Sequence, residues 1–245
     1  MKKINLLIIA TNRYCTNFLA DFLKSAEQFF LPEYEVNYCV FTDRTVEAGM
    51  KVSGGSYKKK VSIYPIEHKP WPHATLKRFH FFLEHKYNMP DADYLYYCDV
   101  DSRFVAPIGE EILGDLTAVQ HCGYLDGQNL PFEDNKASIA YVQPSDRKQY
   151  FGGGFFGGNA GSFWALASKA AEMIGVDESN GIIPVWHDES IINRIFIDYP
   201  PTVILSPSYH WPEKNPHIWN KWTKQGLNFE CKILLLDKNH AEIRK

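Results

Sequence analysis

Two aspartates end the apolar segment Tyr94-Leu-Tyr-Tyr-Cys-Asp-Val-Asp, which closes at Asp101. In an extended chain, residues two apart face the same side, so the carboxylates of Asp99 and Asp101 can approach one ion. Hard carboxylate oxygens suit Mg²⁺ or Mn²⁺, which also bind phosphate oxygens. The position at the carboxyl end of a strand is where open α/β sheets bind ligands. The pattern therefore predicts a metal–diphosphate site.

A second copy of this acidic pattern, Asp91-Ala-Asp93, follows Pro90 at the beginning of the same strand. The beginning of a strand lies at the opposite edge of a parallel sheet, away from the ligand-binding edge. We interpret Asp91 and Asp93 as surface residues.

The segment Trp186-His-Asp-Glu-Ser190 places an aromatic ring, an imidazole and two acids in adjacent positions. A single carboxylate near a sugar's anomeric carbon can stabilise or trap an oxocarbenium-like centre. The alternative is structural, because Asp188 or Ser190 can cap the helix that begins there. A metal site made of His187, Asp188 and Glu189 is disfavoured, since adjacent helical residues point in different directions.

The glycine-rich run from Gly152 to Gly158 matches the spacing G-x-G-x-x-G, and Asp177 follows twenty residues after Gly157. A dinucleotide site would need a strand before the run, yet 144–150 is polar and the run lies in the middle of the chain. Glycine lets the backbone approach a ligand closely, so the run and its neighbouring aromatic rings are expected to form a sugar-pocket wall. A purely structural turn is the alternative.

The last residues carry Lys238 and Arg244. Basic residues near a chain end usually lie on a frayed surface. A diphosphate ligand offers the other interpretation, because these cations would neutralise the charge of a leaving group and close over it as a lid.

The candidate site residues must be positioned by strands and helices. The apolar patterns predict strands over 4–10, 35–42, 61–66 and 94–101, and helices over about 16–30 and 73–86. Their order predicts an open, mostly parallel sheet in one mixed α/β domain over residues 1–245. In the second half we expect helices over about 162–174 and from about Asp188, and strands over 203–205 and 232–236.

The composition of the chain excludes some classes of protein. A chain of 245 residues can bury the core of one α/β domain, and its net charge of −3 argues against a nucleic-acid partner. Five cysteines without zinc-site spacing are typical of reduced thiols. The apolar run over 4–10 is too short to span a membrane and leads directly into a turn. We therefore expect a cytoplasmic protein without a membrane span.

Taken in order, seven segments resemble glycosyltransferase family 6, which includes the histo-blood-group A and B transferases and the α-1,3-galactosyltransferase. They are Phe41-Thr-Asp43, Thr75-Leu-Lys-Arg-Phe79, Asp93-Tyr-Leu…Asp99-Val-Asp101, Gly154-Phe-Phe-Gly-Gly158, Trp186-His-Asp-Glu-Ser190, Leu205-Ser-Pro207 and Lys238-Asn-His240. The resemblance implies a GT-A-type nucleotide-sugar-binding fold. Residues 1–101 would bind UDP, and residues 102–245 would hold the acceptor and the donor sugar. It also implies retaining transfer from a UDP-sugar to the 3-hydroxyl of a β-galactoside-type acceptor, which forms an α-1,3 link.

The resemblance also implies a role for individual residues. Glu189 would be the catalytic carboxylate on the β face of the donor sugar, and Asp99 and Asp101 would hold Mn²⁺ and the diphosphate. The donor side would be formed by Ile9, Thr11 and Tyr14 at the uridine, the Val100 backbone at the ribose, Arg78 and Asp188 at the sugar hydroxyls, Gly152, Gly153 and Gly154 along the sugar pocket, and Lys238 and Arg244 over the diphosphate. The acceptor side would be formed by Trp71, His121, Trp186, His187 and Glu213.

Differences from the family bear on the metal, the donor and the acceptor. Microbial members often carry asparagines in place of the two aspartates and need no metal; this chain keeps both, which implies Mn²⁺, with Mg²⁺ as the alternative. In the family, glycine at the position of Gly154 makes room for an N-acetyl group and alanine favours galactose. The resemblance therefore implies UDP-GalNAc as the donor, and UDP-galactose and UDP-glucose stay open. The family's Tyr-Glu-Arg-Arg reads Phe132-Glu-Asp-Asn135 here. That difference leaves the acceptor open, with Glu213 expected to replace an acceptor-side aspartate.

Two other functions remain alternatives. A sugar nucleotidyltransferase also uses paired carboxylates, but it needs a triphosphate site rich in Gly and Arg, and Thr11-Asn-Arg-Tyr14 offers one Arg and no Gly. An inactive glycan-binding module would be favoured by loss of Glu189, Asp99 or Asp101, and all three are present.

Overall fold

A mostly parallel sheet of seven strands runs through the protein. The computed structural model describes residues 1–44 and 60–243. The strands are β1 (Lys3–Ile9), β2 (Glu35–Thr42), β3 (Lys60–Pro65), β4 (Tyr94–Cys98), β5 (Ser102–Phe104), β6 (Leu116–Gln120), β7 (Phe151–Asn159), β8 (Val203–Leu205), β9 (Trp211–Pro212) and β10 (Ile233–Leu235). The helices are α1 (Arg13–Phe29), α2 (His73–Leu76), α3 (Arg78–Glu84), α4 (Ala160–Ser179), α5 (Asp188–Asp198), α6 (Pro216–Lys224) and α7 (His240–Ile243).

The order of strands in the large sheet is β3-β2-β1-β4-β7-β6-β8. Strands β1 to β4 run parallel, and β7 pairs antiparallel with both β4 and β6. Because β7 runs in the opposite direction, its first residues lie at the same sheet edge as the last residues of β1 and β4. A small second sheet, β5-β10-β9, extends from this edge.

Two apolar layers cover the large sheet. Along β1, Leu6 and Ile8 pack into the layer that contains α1, whereas Leu7 packs into the layer that contains α3, α4 and α5. This alternation follows from the two-residue period of a strand. Both faces of the large sheet are therefore buried, and its edge is the part that remains accessible to a ligand. Within the described residues, no helix combines the length and the hydropathy needed to cross a lipid bilayer.

The predicted single α/β domain with a mostly parallel sheet is confirmed. The strands predicted over 35–42 and 203–205 have those bounds, while the other predicted strands and helices differ at their ends. The helix predicted over 73–86 is interrupted at Lys77, whose backbone dihedrals φ −90 and ψ 5 separate α2 from α3. Strands β5, β6, β7 and β9 and helices α6 and α7 were not predicted.

Strand β7 is rich in glycine because neighbouring residues approach its backbone closely. A Cβ added to Gly157 would lie 2.3 Å from the Tyr96 ring, and one added to Gly158 would lie 2.1 Å from the Asp115 carbonyl oxygen. The pairing with β6 also shifts between Ala118 and Val119, so residues 153–155 bulge from the regular ladder. Glycine is depleted in strands generally, and this composition conceals the strand from sequence patterns.

Candidate functional site

A cleft of about 250 Å³ lies at the carboxyl ends of β1 and β4. It brings together eight of the predicted site residues: Ile9, Thr11, Tyr14, Trp71, Asp99, Val100, Asp101 and Lys238. The sequence did not predict the other residues of its lining, which are His68, Lys69, Ala74, Thr75, Tyr97 and Ile243. His68 lies 3.0 Å from the Thr11 hydroxyl through its Nδ1 atom.

The two aspartates enter the cleft from the end of β4. The Asp99 backbone N–H donates to the Gly154 carbonyl at 2.9 Å, and its Oδ1 accepts a hydrogen bond from the Tyr97 hydroxyl at 2.5 Å. Its side chain remains 36% exposed. Asp101 is buried and forms an ion pair with the Lys238 ammonium. These all-oxygen donors fit a hard divalent cation, and the ion pair shows that Asp101 already attracts a positive charge.

The second acidic pattern lies elsewhere. The Oδ2 atom of Asp93 accepts the backbone N–H of Lys3 at 2.7 Å, at the amino end of β1. This is the sheet edge opposite the cleft, as expected for a surface pair.

Arg78 connects the acidic residues of the site. It is 3% exposed, and its Nε lies 2.8 Å from Oδ2 of Asp188, outside regular hydrogen-bond angles, so the pair is held by charge. Its guanidinium also donates to the Gly153 carbonyl at 2.6 Å and lies 3.6 Å from Oδ1 of Asp99. Burial alone would lower the pKa of Arg78, but the neighbouring carboxylates, Asp188 foremost, raise it above its ordinary value.

Glu189 lies in the first turn of α5, with Oε2 accepting the Gly153 backbone N–H at 2.7 Å. Burial raises the pKa of Glu189 to about 7, against the lowering effect of that hydrogen bond. Burial likewise raises the pKa of Asp188 to about 6, against the attraction of Arg78. At neutral pH Glu189 therefore lies close to its titration point, which is a frequent property of functional sites.

Asn193 fixes α5 against β7. Its Oδ1 accepts the Phe151 N–H at 2.8 Å, and its Nδ2 donates to the Phe151 and Glu189 carbonyls at 2.8 and 2.9 Å. Asn193 is 1% exposed. These bonds set the position of Glu189 relative to the glycine strand. The sequence contains a signal for this residue, since Asn193 lies four positions after Glu189, on the same helix face.

Asp188 does not cap α5, because its carboxylate faces Arg78 and the helix has no side-chain cap. Ser190 instead accepts the Trp186 N–H at 3.0 Å through its hydroxyl. The capping interpretation is therefore wrong for both residues. The turn before the helix is formed by His187 in a left-handed conformation, with φ 55.

Two exposed tryptophans lie near the cleft, Trp71 with 49% and Trp186 with 47% exposure. The Trp71 ring packs edge-on against His187 at 5.0 Å between centroids. Large, exposed aromatic faces are suited to stacking on sugar rings. Glu213, also predicted on the acceptor side, accepts the Asp237 N–H at 2.9 Å through its Oε2. It thus contacts the carboxyl-terminal segment next to Lys238.

That segment lies along the cleft. Leu236 N–H donates to the Asp101 carbonyl at 2.9 Å, and the Glu242 carbonyl accepts from Arg13 at 2.7 Å. Lys238 lies 5.2 Å from the centre of the Tyr14 ring. The predicted lid residue Arg244 lies outside the described residues.

His121 and His210 are not among the residues that line the cleft; they lie side by side, with ring centroids 5.1 Å apart. Burial lowers the pKa of His121 to about 4 and, together with the neighbouring His121, that of His210 to about 3. Both imidazoles are therefore neutral at physiological pH. One ligand atom from each of His121, Cys122 and His210 lies within 4.8 Å of the others, but nitrogen and sulfur donors do not suit Mn²⁺. His210 carried no sequence signal.

The family model for glycosyltransferase family 6 matches residues 2–245. Globoside alpha-1,3-N-acetylgalactosaminyltransferase 1 of Homo sapiens is 36% identical over 218 residues, which cover 87% of this chain and 62% of that protein. Histo-blood group ABO system transferase 1 of Rattus norvegicus is 32% identical over 249 residues, covering 98% and 68%. O-antigen biosynthesis glycosyltransferase WbnI of Escherichia coli is 30% identical over 239 residues, covering 96% and 94%.

The paired aspartates line the sheet-edge cleft, and the buried Glu189 lies on α5. The chain belongs to glycosyltransferase family 6. It spans about 62% of the length of the human globoside transferase.

Proposed function

We propose that this chain is a retaining glycosyltransferase that moves N-acetylgalactosamine or galactose from a UDP-sugar to the 3-hydroxyl of a β-galactoside-type acceptor. The observation that carries the proposal is the position of Glu189. Its carboxylate bonds to the strand residue Gly153, one residue from Gly154, which contacts the aspartate pair through Asp99. A group that stabilises positive charge at the anomeric carbon therefore lies next to a site for a diphosphate leaving group. The names of the curated relatives support the same donor sugars and an α-1,3 link.

The donor would enter with its uridine against Ile9, Thr11 and Tyr14, which line the cleft. Asp99 and Asp101 would hold Mn²⁺, with Mg²⁺ as the alternative. Such an ion neutralises charge on the diphosphate as UDP departs. Lys238 would supply further positive charge there once it separates from Asp101, its present partner. The expected Arg244 contact belongs to the same part of the site.

In the reaction, the bond from the anomeric carbon to the UDP oxygen breaks, and a bond to the acceptor 3-oxygen forms. The departing diphosphate of UDP takes the bonding electron pair, and one of its oxygens takes the proton that the acceptor hydroxyl loses. Ionised Glu189 stabilises the positive charge between these events or bonds to the sugar transiently. Arg78 pairs with Asp188, the residue before Glu189, and both would contact donor-sugar hydroxyls.

The acceptor would lie against Trp71, Trp186 and His187, with His121 contacting a hydroxyl and Glu213 at the rim. Exposed indole rings supply the apolar platform that a sugar face needs.

All five cysteines are free in the structure, which supports the expected reducing, cytoplasmic location.

UDP release tests the proposal directly. The purified chain is incubated with UDP-GalNAc, UDP-galactose or UDP-glucose, with Mn²⁺ or EDTA, and with or without lactose or fucosyl-lactose. We expect Mn²⁺-dependent release from UDP-GalNAc that rises with acceptor. Release that persists in EDTA would remove the metal role of the aspartates, and no release from any donor would contradict the transferase function.

A further inference from the structure

The glycine run along the donor-sugar pocket leaves less open space than its composition suggests. A Cβ added to Gly152 would lie 2.8 Å from Nε2 and 3.0 Å from Cδ2 of His210. One added to Gly154 would lie 3.5 Å from Cδ2 of His210 and 3.2 Å from Oδ2 of Asp99. The imidazole of His210 therefore occupies the space that a side chain at position 152 would take.

We propose that His210 is a specificity-determining residue of the donor-sugar pocket, and that its imidazole contacts the substituent at C2 of the sugar. This inference rests on the proposed function. Gly153, between the two glycines, bonds to Glu189, and Gly154 contacts Asp99. His210 thus borders the short stretch of backbone that separates the catalytic carboxylate from the diphosphate-binding aspartate, which is where the transferred sugar must lie.

The imidazole of His210 is suited to polar contact with a neutral ligand. It is 8% exposed, and its backbone N–H is fixed to the Pro207 carbonyl at 2.9 Å. Its burial keeps the ring neutral, so it offers one donor and one acceptor nitrogen. Among the described residues, Nδ1 of His210 is buried without a hydrogen-bond partner. Buried polar atoms are normally paired, and an acetamido group can donate or accept the missing bond.

The neighbouring His121 differs from His210 in its hydrogen bonds. His121 packs against His210 and bonds through Nδ1 to the Gly123 N–H at 3.1 Å. Nδ1 of His121 is therefore used within the protein, whereas Nδ1 of His210 has no partner in the described part of the chain. Donor choice then depends on position 210 as well as on Gly154, because a Cβ at position 154 would lie 3.5 Å from the imidazole.

A double-mutant cycle tests the packing. Gly152→Ala should lower the melting temperature in the wild type, since the new methyl meets the imidazole, and should lower it much less in His210→Ala. Gly175→Ala is the matched control, because a Cβ at this position of α4 meets nothing within 4 Å. Equal losses from Gly152→Ala in both backgrounds would contradict the packing on which the inference depends.

Calorimetric binding of UDP, UDP-galactose and UDP-GalNAc tests the selection without requiring turnover. In His210→Ala, the affinity ratio of UDP-GalNAc to UDP-galactose should change by roughly tenfold or more, and the affinity for UDP should not change. His210→Leu, which removes both ring nitrogens but keeps an apolar side chain, should change the ratio by a similar factor and serves if the alanine variant fails to fold. A ratio within about twofold of wild type in both variants would overturn the inference alone. Wild-type protein that binds neither UDP nor any UDP-sugar would overturn the proposed function together with it.

Discussion

Replacing Glu189 by glutamine should make the protein more stable at high pH. Burial raises the pKa of Glu189 from the ordinary 4.5 to about 7. The folded chain therefore holds this proton more tightly than the unfolded chain. The free energy of unfolding falls as the pH rises from about 4.5 to about 7 and loses nothing more from this group above that. At about 1.4 kcal/mol for each tenfold change in proton affinity, the full loss is about 3 kcal/mol.

Glutamine cannot ionise, and its carbonyl oxygen can keep the hydrogen bond from Gly153. Glu189→Gln should therefore exceed the wild type by about 3 kcal/mol in free energy of unfolding at pH 8, and by less than about 1 kcal/mol at pH 5. Asp188 also titrates in this range, and its charge is one of the causes that raise the pKa of Glu189. The difference between the two proteins therefore belongs to the coupled pair rather than to Glu189 alone. Sugar transfer by the variant should fall at least about 100-fold, as for loss of a catalytic group.

Urea unfolding of both proteins at pH 5 and pH 8 gives the four required free energies. Glu172→Gln is the control, because its carboxylate is 63% exposed on α4 and the charge change is identical. It should shift the free energy of unfolding by less than about 0.5 kcal/mol at either pH. A stability difference between wild type and Glu189→Gln that is the same at both pH values would refute the buried, proton-holding carboxylate.

Three further changes test other parts of the site. Gly154→Ala should shift donor preference from UDP-GalNAc toward UDP-galactose. It should also weaken Mn²⁺ binding, because the methyl would lie 3.2 Å from Oδ2 of Asp99. Unchanged donor kinetics and an unchanged Mn²⁺ titration would contradict these expectations. Asp101→Asn should weaken Mn²⁺ binding and transfer together, as removal of a charged ligand, and the argument fails if the Mn²⁺ dependence of the rate is unaltered. Asn193→Ala should lower the free energy of unfolding in urea by about 2–4 kcal/mol, because buried backbone groups of β7 and α5 lose their hydrogen-bond partner. It should also slow transfer by displacing Glu189. An unchanged free energy of unfolding would contradict the role of Asn193 in fixing α5 against β7.

The sequence predicted much of the site because its residues follow strand ends and helix starts. Asp99 and Asp101 follow β4, and Glu189 opens α5, so local patterns were enough to identify them. Tyr97 was missed, although the two-residue period of β4 places it on the same side as Asp99, to which its hydroxyl donates.

The missed parts depend on contacts between distant segments. The antiparallel strand β7 is built from glycines because Tyr96 and the Asp115 carbonyl approach its backbone, and neither residue is near it in sequence. His210 follows the short strand β8 by five residues, and only the folded chain brings it onto Gly152. Three consecutive glycines therefore predicted a roomy pocket, whereas a side chain from another segment fills part of it.

The most direct test of the central claim is the anomeric configuration of the product. The chain is incubated with UDP-GalNAc, Mn²⁺ and lactose, and the trisaccharide is analysed by proton NMR. The account predicts a new α-linked N-acetylgalactosamine on the galactose 3-oxygen, with the small coupling between its H1 and H2 that marks an α link, and strongly reduced product from Glu189→Gln. A β-linked product, or α-linked product formed by Glu189→Gln at the wild-type rate, would contradict it.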